Sequence, residues 1–335
     1  MNAKALLVGL VAGCLVCALH DTRAMHWLER KSLDFRFCAR EWTRQTVPVS
    51  PDIAVILIDD DTYADDAMRQ VPSVLWLPWY AELTGGLLDA GARVVGIDAV
   101  LSRFDDAYYR IGYPKLDNAL TPLNDAVQRA GAGHVMLGAA ADFPEEGKPR
   151  IVLPTADLAL VVGYDAVGHL NLTGDYDDVK RFQWLPPVPI GQADVMADSN
   201  KATWPLPAIP GFAPLLASPK TTAGVPMFHG GYAYINYAGS NIPYRPAGPF
   251  PSWSMVDVLG MIHRHETDKL HAAFAGKTVL VGSGTSDDLH LTPFNLVSHK
   301  EMAGVAIHAH VINMLLTGRN LVPISWQAST LLTLL

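Results

Sequence analysis

The chain alternates between short apolar runs and longer stretches with helical periodicity. Residues 53–59 read IAVILID, apolar at every position until the closing aspartate. An unbroken run of this length between polar flanks fits a strand covered on both faces, as in a parallel sheet. Residues 93–98 (RVVGID), 134–139 (HVMLGA) and 277–282 (KTVLVG) repeat the pattern. Between the first two runs, Tyr80, Leu83, Leu87 and Leu88 form one helical stripe, with Gly91 as its stop. Leu116, Leu120, Leu123 and Val127 predict a second helix ending at Gly131, with Pro122 making Thr121 a late N-cap. Two more helices are expected over 254–261 and 304–316, the latter aligned on Val305, Ala309, Ile312 and Leu316 and stopped by Gly318. Strands alternating with helices predict βαβ units. The expected fold is therefore α/β, a mainly parallel sheet with helices on both faces.

The stretch 142–230 is rich in proline, glycine and aspartate. Within it, 168–172 (GHLNL) and 179–184 (VKRFQW) flank GDYDD at 174–178, which reads as a β-hairpin. Residues 232–237 (YAYINY) predict another strand. No internal repeat is visible.

Both ends of the chain are apolar. Residues 5–19 carry no charge, and Lys4 precedes them while His20, Asp21 and Arg23 follow. As a helix this run covers ~22 Å of a ~30 Å hydrocarbon core, so Lys4 and His20 must reach the interface by snorkelling. A signal anchor is the expected reading. A cleaved signal peptide lacks a small-residue cleavage site after the run. A lipoprotein signal at 10–14 (LVAGC) conflicts with the apolar residues that continue past Cys14. Residues 324–335 follow Pro323, place Trp326 as an interfacial residue, and read as the start of a second span. The expected organisation is a cytoplasmic stub and transmembrane anchor at 1–23, an extracytoplasmic body at 24–322, and the beginning of a second transmembrane helix at 323–335.

Composition agrees with a globular body attached to membrane segments, since 50% of the 335 residues are hydrophobic and 17% charged. The formal net charge is -8 and no lysine- or arginine-rich run occurs, which argues against a nucleic-acid partner. Cys14 and Cys17 sit in the N-terminal apolar run, and only Cys38 lies outside it. A disulfide scaffold and a zinc-type cysteine pair are both excluded, and Cys38 is expected to be a shielded free thiol. No G-x-S-x-G or H-E-x-x-H motif is present.

Candidate chemistry gathers where strands end. Asp59, Asp60 and Asp61 follow the first strand and Asp98 ends the second. Strand C-termini of a parallel sheet line the crevice where ligands bind, and four carboxylates there could hold Mg²⁺ or Ca²⁺. Against this, Asp59 and Asp98 could simply cap helices or turns. Asp288, His290 and His308 form a second cluster, suited either to a transition metal or to tying a loop to a helix N-terminus. His263, His308 and His310 could titrate near neutral pH. Gly282 to Thr285 (GSGT) could cradle an anion, although the lysine of a P-loop is missing. We expect Asp59, Asp98, Asp288 and His308 to act mainly as structural anchors at element boundaries. Asp59, Asp60, Asp98, Asp288, His290 and His308 remain the candidate ligand-binding set, with no catalytic residue, metal site or cofactor assigned.

A set of motifs in chain order carries a resemblance. They are LDFRF at 33–37, IDD at 58–60, GARVVGID at 91–98, GHLN at 168–171 ahead of Asp175, INYAG at 235–239, GKTVLVG at 276–282, Asp288 with Thr292 and Pro293, and GVAIHA at 304–309. Together they resemble the CHASE type 2 family of extracellular sensory domains. The chain departs from the family at 76–80 (WLPWY), which lacks the family's arginine, and at Ala303 and Ala306. The resemblance implies an α/β sensory input domain of a bacterial transmembrane receptor, facing the periplasm or cell exterior from the inner membrane. It implies a homodimer, a small-molecule or envelope stimulus, and a cyclase, diguanylate cyclase or histidine kinase output downstream, so that this chain is not itself the enzyme. The alternative is an extracytoplasmic metal-binding protein or metal-dependent enzyme that uses the acidic crevice.

Overall fold

The four apolar runs become the centre of one sheet. The computed structural model describes residues 8, 9, 11, 14, 22–101, 120–142, 150–190, 194–195, 204–217, 224–228, 230–240, 246–299 and 301–322. Its strands are β1 (Ile53–Ile58), β2 (Val94–Asp98), β3 (Val135–Asp142), β4 (Arg150–Val152), β5 (Val167–His169), β6 (Phe182–Trp184), β7 (Asp194–Val195), β8 (Tyr232–Tyr234), β9 (Ser252–Ser254) and β10 (Thr278–Ser283). The sheet runs β9-β1-β10-β2-β3-β4-β7, with β5 also paired to β3. Every pairing in it is parallel except β3 with β4. β1 is buried at every position, as its unbroken apolar run requires.

Helices cover both faces. They are α1 (Arg23–Trp42), α2 (Asp60–Ala64), α3 (Leu77–Asp89), α4 (Leu120–Ala130), α5 (Ala156–Val162), α6 (Phe212–Ala217), α7 (Met255–His263), α8 (Thr267–Phe274) and α9 (Gly304–Thr317). α3 is the crossover between β1 and β2. These strands are parallel with β10 between them, a connection no tight hairpin could make. α3 packs on β2, α4 and α7, while α9 packs on β1, β10 and α6. Two strand glycines make the second layer possible. A Cβ on Gly96 would lie 2.6 Å from Leu216 of α6, and one on Gly282 would lie 2.7 Å from the Cβ of Val305 in α9. α9 is buried from Gly304 through Leu315, so it is a core helix with no solvent face. It ends at Gly318 in the left-handed conformation, as the sequence predicts.

α1 lies against this body. Phe37 is buried and meets the rings of Tyr237 and Phe294 edge-on. Cys38 is a buried free thiol whose Sγ faces the Pro293 carbonyl at 3.5 Å, and burial pushes its pKa up to about 11. It is therefore shielded, as expected.

The hairpin expected across 168–184 does not form. The turn itself exists, with Asp175 N–H donating to the Val179 carbonyl and Asp178 at φ 59°. Its flanks pair elsewhere, β5 with β3 in the main sheet and β6 antiparallel with β8. Thr121 lies inside α4 and not at its cap. Leu116 of the expected stripe is outside the described residues. Among the described residues no helix is long and apolar enough to cross a membrane. The runs 5–19 and 323–335, where spans were expected, lie almost wholly outside the described residues.

The two classes of glycine contact should respond oppositely to an added methyl. Gly282→Ala forces α9 from β10 and should lower unfolding stability by about 1–3 kcal/mol. Gly85→Ala, whose Cβ meets only Ala126 at 3.6 Å inside α3, should raise it by about 0.5–1 kcal/mol. Urea unfolding monitored by circular dichroism measures both, and equal effects would contradict this packing.

Candidate functional site

Strand register brings three chain ends to one edge of the sheet. Ile58 of β1 pairs with Ser283 of β10, and Gly282 pairs with Asp98 of β2. The connections leaving these ends open a cleft of about 300 Å³. Tyr63, Trp76 and Tyr80 give it aromatic walls, and Ser73, Asp98 and Ser283 give it polar groups, over an apolar floor of Ile58, Val74 and Leu101. Trp76 is fixed by its ring N–H, which donates to the Val71 carbonyl at 2.8 Å. The Tyr63 and Trp76 rings stand 4.9 Å apart at 45°.

The expected site residues divide into two groups. Asp59 is a helix cap. Its Oδ1 accepts from Thr62 N–H at 3.1 Å, from the Thr62 hydroxyl at 2.9 Å and from the Ser254 hydroxyl at 2.7 Å, completing a capping box on α2. Asp60 and Asp61 are exposed in the first turn of α2. Asp98, Asp288, His290 and His308 come together on the other side. Asp288 Oδ1 meets His290 Nε2 at 2.9 Å. The same carboxylate packs on Gly304, where a Cβ would be 2.5 Å from Oδ2, and so sits over the first turn of α9. A negative charge is favoured there.

Asp98 and His308 cap no helix among the described residues. Burial, reinforced by the Asp288 charge, holds the Asp98 carboxyl well above the usual carboxylate range. Its Oδ2 is buried with no hydrogen-bond partner among the described residues. His308 Nε2 lies 3.9 Å from Asp98 Oδ1 but 3.1 Å from the Leu170 carbonyl, to which it donates. Burial brings the His308 pKa down to about 4. A neutral carboxyl beside a neutral imidazole fits these directions, and the contact is not an ion pair. His310 is likewise buried, accepts from Ala238 N–H at Nδ1, and has its pKa pushed down to about 3 by burial. His263 stands apart on the surface, 2.6 Å from Glu82.

Two chemistries that the sequence left open, a metal site and an anion cradle, have no assembled counterpart among the described residues. Among the described residues no three His, Cys, Asp or Glu side chains converge as metal ligands. The anion cradle at 282–285 is occupied from within, because the Ser283 and Thr285 hydroxyls donate to Asp287. A carboxylate in that place repels an anion.

A larger polar assembly has no counterpart in the sequence reading. Arg181 has no solvent exposure, and all five of its N–H groups donate to carboxylates. Nε and Nη2 grip Asp34 of α1 at 2.8 and 2.7 Å, Nη1 reaches Asp175 at 3.0 Å and Asp177 at 2.6 Å, and Nη2 also reaches Asp177 at 3.0 Å. Arg30 pairs with Asp175 at 2.6 Å and Lys31 with Asp177 at 3.1 Å, so three cations balance three anions. Burial opposes the Asp177 charge, but hydrogen bonds from Arg181 and Lys31 outweigh it and hold the carboxyl well below the usual range. The signal for this clamp was present in Asp34 and Asp175, which lie in or beside the resemblance motifs, but nothing marked Arg181 as buried.

Comparison with known proteins gives one match. A family model for the CHASE2 domain matches residues 10–335. No curated protein and no solved structure matches.

Two outcomes follow from these electrostatics. Arg181→Met strips buried Asp34 of its bidentate partner and leaves three carboxylates with two cations, and should cost about 3–5 kcal/mol; Arg181→Lys should not restore it because one ammonium cannot replace a five-donor fork. Wild-type-like denaturation of the lysine variant would contradict the clamp. The second outcome concerns pH. His169 and His308 have folded pKa values of about 4 and His310 of about 3, all lowered first by burial. These lie below the unfolded value of about 6.5. Their contribution is thus complete above that pH and is lost as pH falls, at up to about 1.4 kcal/mol per unit per histidine. Thermal midpoints should plateau above neutrality and drop steeply as pH falls towards about 4; a flat profile would mean that the three imidazoles are not buried and neutral.

Proposed function

The chain belongs to the CHASE2 domain family, and from that premise we propose that it is the sensory input domain of a bacterial transmembrane receptor. The family is one of extracellular-type sensory domains. In this reading residues 24–322 lie outside the inner membrane, residues 5–19 anchor them, and a second span begins near residue 323. A cyclase, diguanylate cyclase or histidine kinase on the cytoplasmic side carries the output chemistry, while this domain binds the stimulus and transmits it.

The course of α9 is the observation that supports this most. Its N-terminal half lies behind a residue that lines the crevice, with Gly304 against Asp288 and His308 Nε2 3.9 Å from Asp98. Its 14 residues then run about 21 Å through the core. Just past its end the Arg319 carbonyl accepts from Asn236 Nδ2 at 2.7 Å, and Asn236 Oδ1 accepts from Arg40 of α1 at 2.9 Å. One asparagine thus joins the helix that enters the domain to the strand of chain that leaves it. A ligand that favours one position of α9 biases the spacing of both connections.

A second copy of the chain fits along α1. Leu28, Phe35 and Trp42 recur every seven residues and are 53%, 57% and 62% exposed. That repeat is the seam of a two-helix coiled coil. The opposite side of α1 is taken by the Arg181 clamp and the Phe37 cluster.

Alkaline phosphatase fused after residue 200 should be active, as an enzyme that matures only outside the cytoplasm; activity solely from a cytoplasmic reporter at the same point would refute the topology. With Cys14 and Cys17 replaced by alanine, Phe35→Cys should form a disulfide-linked dimer under mild oxidation in membranes. A cysteine at Lys31, on the clamped side, should not. Equal cross-linking at the two positions would refute the α1 seam.

A further inference from the structure

We propose that the crevice binds an organic cation, a small ammonium compound with an apolar or aromatic body, between Tyr63, Trp76, Tyr80 and Asp98. This rests on the reading of the crevice as the input site and adds the chemistry of its ligand.

The lining sets the sign of the charge. Around the cleft stand aromatic rings, hydroxyls and one carboxyl group, and among the described residues no lysine, arginine or histidine lines it. The charged groups that act on it from outside are acidic as well, Asp288 on Asp98 and Asp287 on Tyr63. An anion would meet repulsion and no donor stronger than a hydroxyl. A cation would meet aromatic ring systems, which attract positive charge, and a carboxyl group to pair with.

The state of Asp98 points the same way. Its side chain is 7% exposed, and Oδ2 has no partner among the described residues. A buried acceptor without a donor is costly. An ammonium N–H supplies that donor. Asp98 then gives its proton to solvent and the carboxylate pairs with the bound cation, so charge is conserved at the site. The titratable groups around it are His308 from α9, Asp288 from the loop before α9, and Tyr80 from α3.

Size and coordination separate an organic cation from a metal ion. A cleft of about 300 Å³ lies at the small end of organic-ligand sites. A bare divalent ion needs roughly six oxygen ligands. Among the described residues only one carboxylate lines this cleft and no metal-ligating group of three exists.

The test uses the purified full chain in detergent micelles and three probes of one shape: 2-phenylethylammonium, neutral 2-phenylethanol and anionic 3-phenylpropionate. Calorimetric titration should show saturable binding of the ammonium compound alone. Asp98→Asn, which keeps the shape and removes the charge, should weaken it at least about tenfold. Tyr63→Leu, at a partly exposed position that tolerates the change, should weaken it as well, whereas Asp60→Asn should not. If 2-phenylethanol binds as tightly as the ammonium compound and both respond to Tyr63→Leu, the cation proposal falls while the crevice remains a ligand site. If no probe binds, or binding ignores both Asp98→Asn and Tyr63→Leu, the proposal and the reading of the crevice as the input site fall together.

Discussion

A guanidinium sealed from water must spend every N–H on an acceptor, and Arg181 does so. Its five hydrogen bonds fix three separate parts of the chain with respect to one another: Asp34 on α1, the 174–178 turn, and the start of β6. The clamp contributes little through its charges alone, since desolvation offsets most of the attraction in a buried ion pair. What it provides is a high cost for partial separation. Movement that draws Asp34 out of the fork leaves a buried charge with only a 3.7 Å contact to Lys31. α1 is therefore either docked or released, and while docked it moves with the body as one piece.

That constraint gives the other contacts their meaning. The Arg40 to Asn236 bond and the Phe37 ring cluster would be weak points on a mobile helix. On a clamped one they fix the height of α1 along the body. Asn313 of α9 does the same for the next segment, accepting from Ser50 N–H at 2.7 Å and donating to the Pro48 carbonyl at 3.2 Å. The entry helix, the loop behind it and the last helix thus form a single frame, and the sheet hangs inside that frame.

The legible parts of the sequence were those where local pattern and final burial agree. The four central strands announce themselves because a strand covered on both faces must be apolar at successive positions. The hairpin failed for the opposite reason. The GDYDD turn is real, but a turn does not choose partners for its flanks. At Gly168 a Cβ would be 2.7 Å from the Cα of Phe212, so β5 is built for the crowded interior of the main sheet and not for a two-stranded ribbon. Arg181 was illegible because a lone arginine between a lysine and a phenylalanine looks solvated. Only the converging aspartates, distant in sequence, make its burial possible. Tyr80 reads as part of a helical core stripe and nothing in the sequence marks Tyr63, and only the folded chain brings them together with Trp76 around an opening. Asp59 could be placed from sequence as a cap, whereas Asp98, in the same kind of position, meets no backbone donor at Oδ2 among the described residues.

The helix that packs behind Asp98 is also closely confined. α9 has no solvent face, and its neighbours on the sheet are packed closely enough that Gly282 has no room for a methyl group. Close-packed interiors do not deform continuously. A shift at Gly304 therefore displaces the whole helix. It cannot be lost in side-chain rearrangement along the way. At the far end the helix meets Asn236, whose two ends hold Arg40 and the Arg319 carbonyl. The Arg181 clamp, the Asn313 bonds to residues 48–50 and the Asn236 joint all oppose that displacement, so a disturbance at Gly304 is felt as load on the joint between the entering and leaving segments. That load arises from a buried charge at one place and a missing methyl group at another.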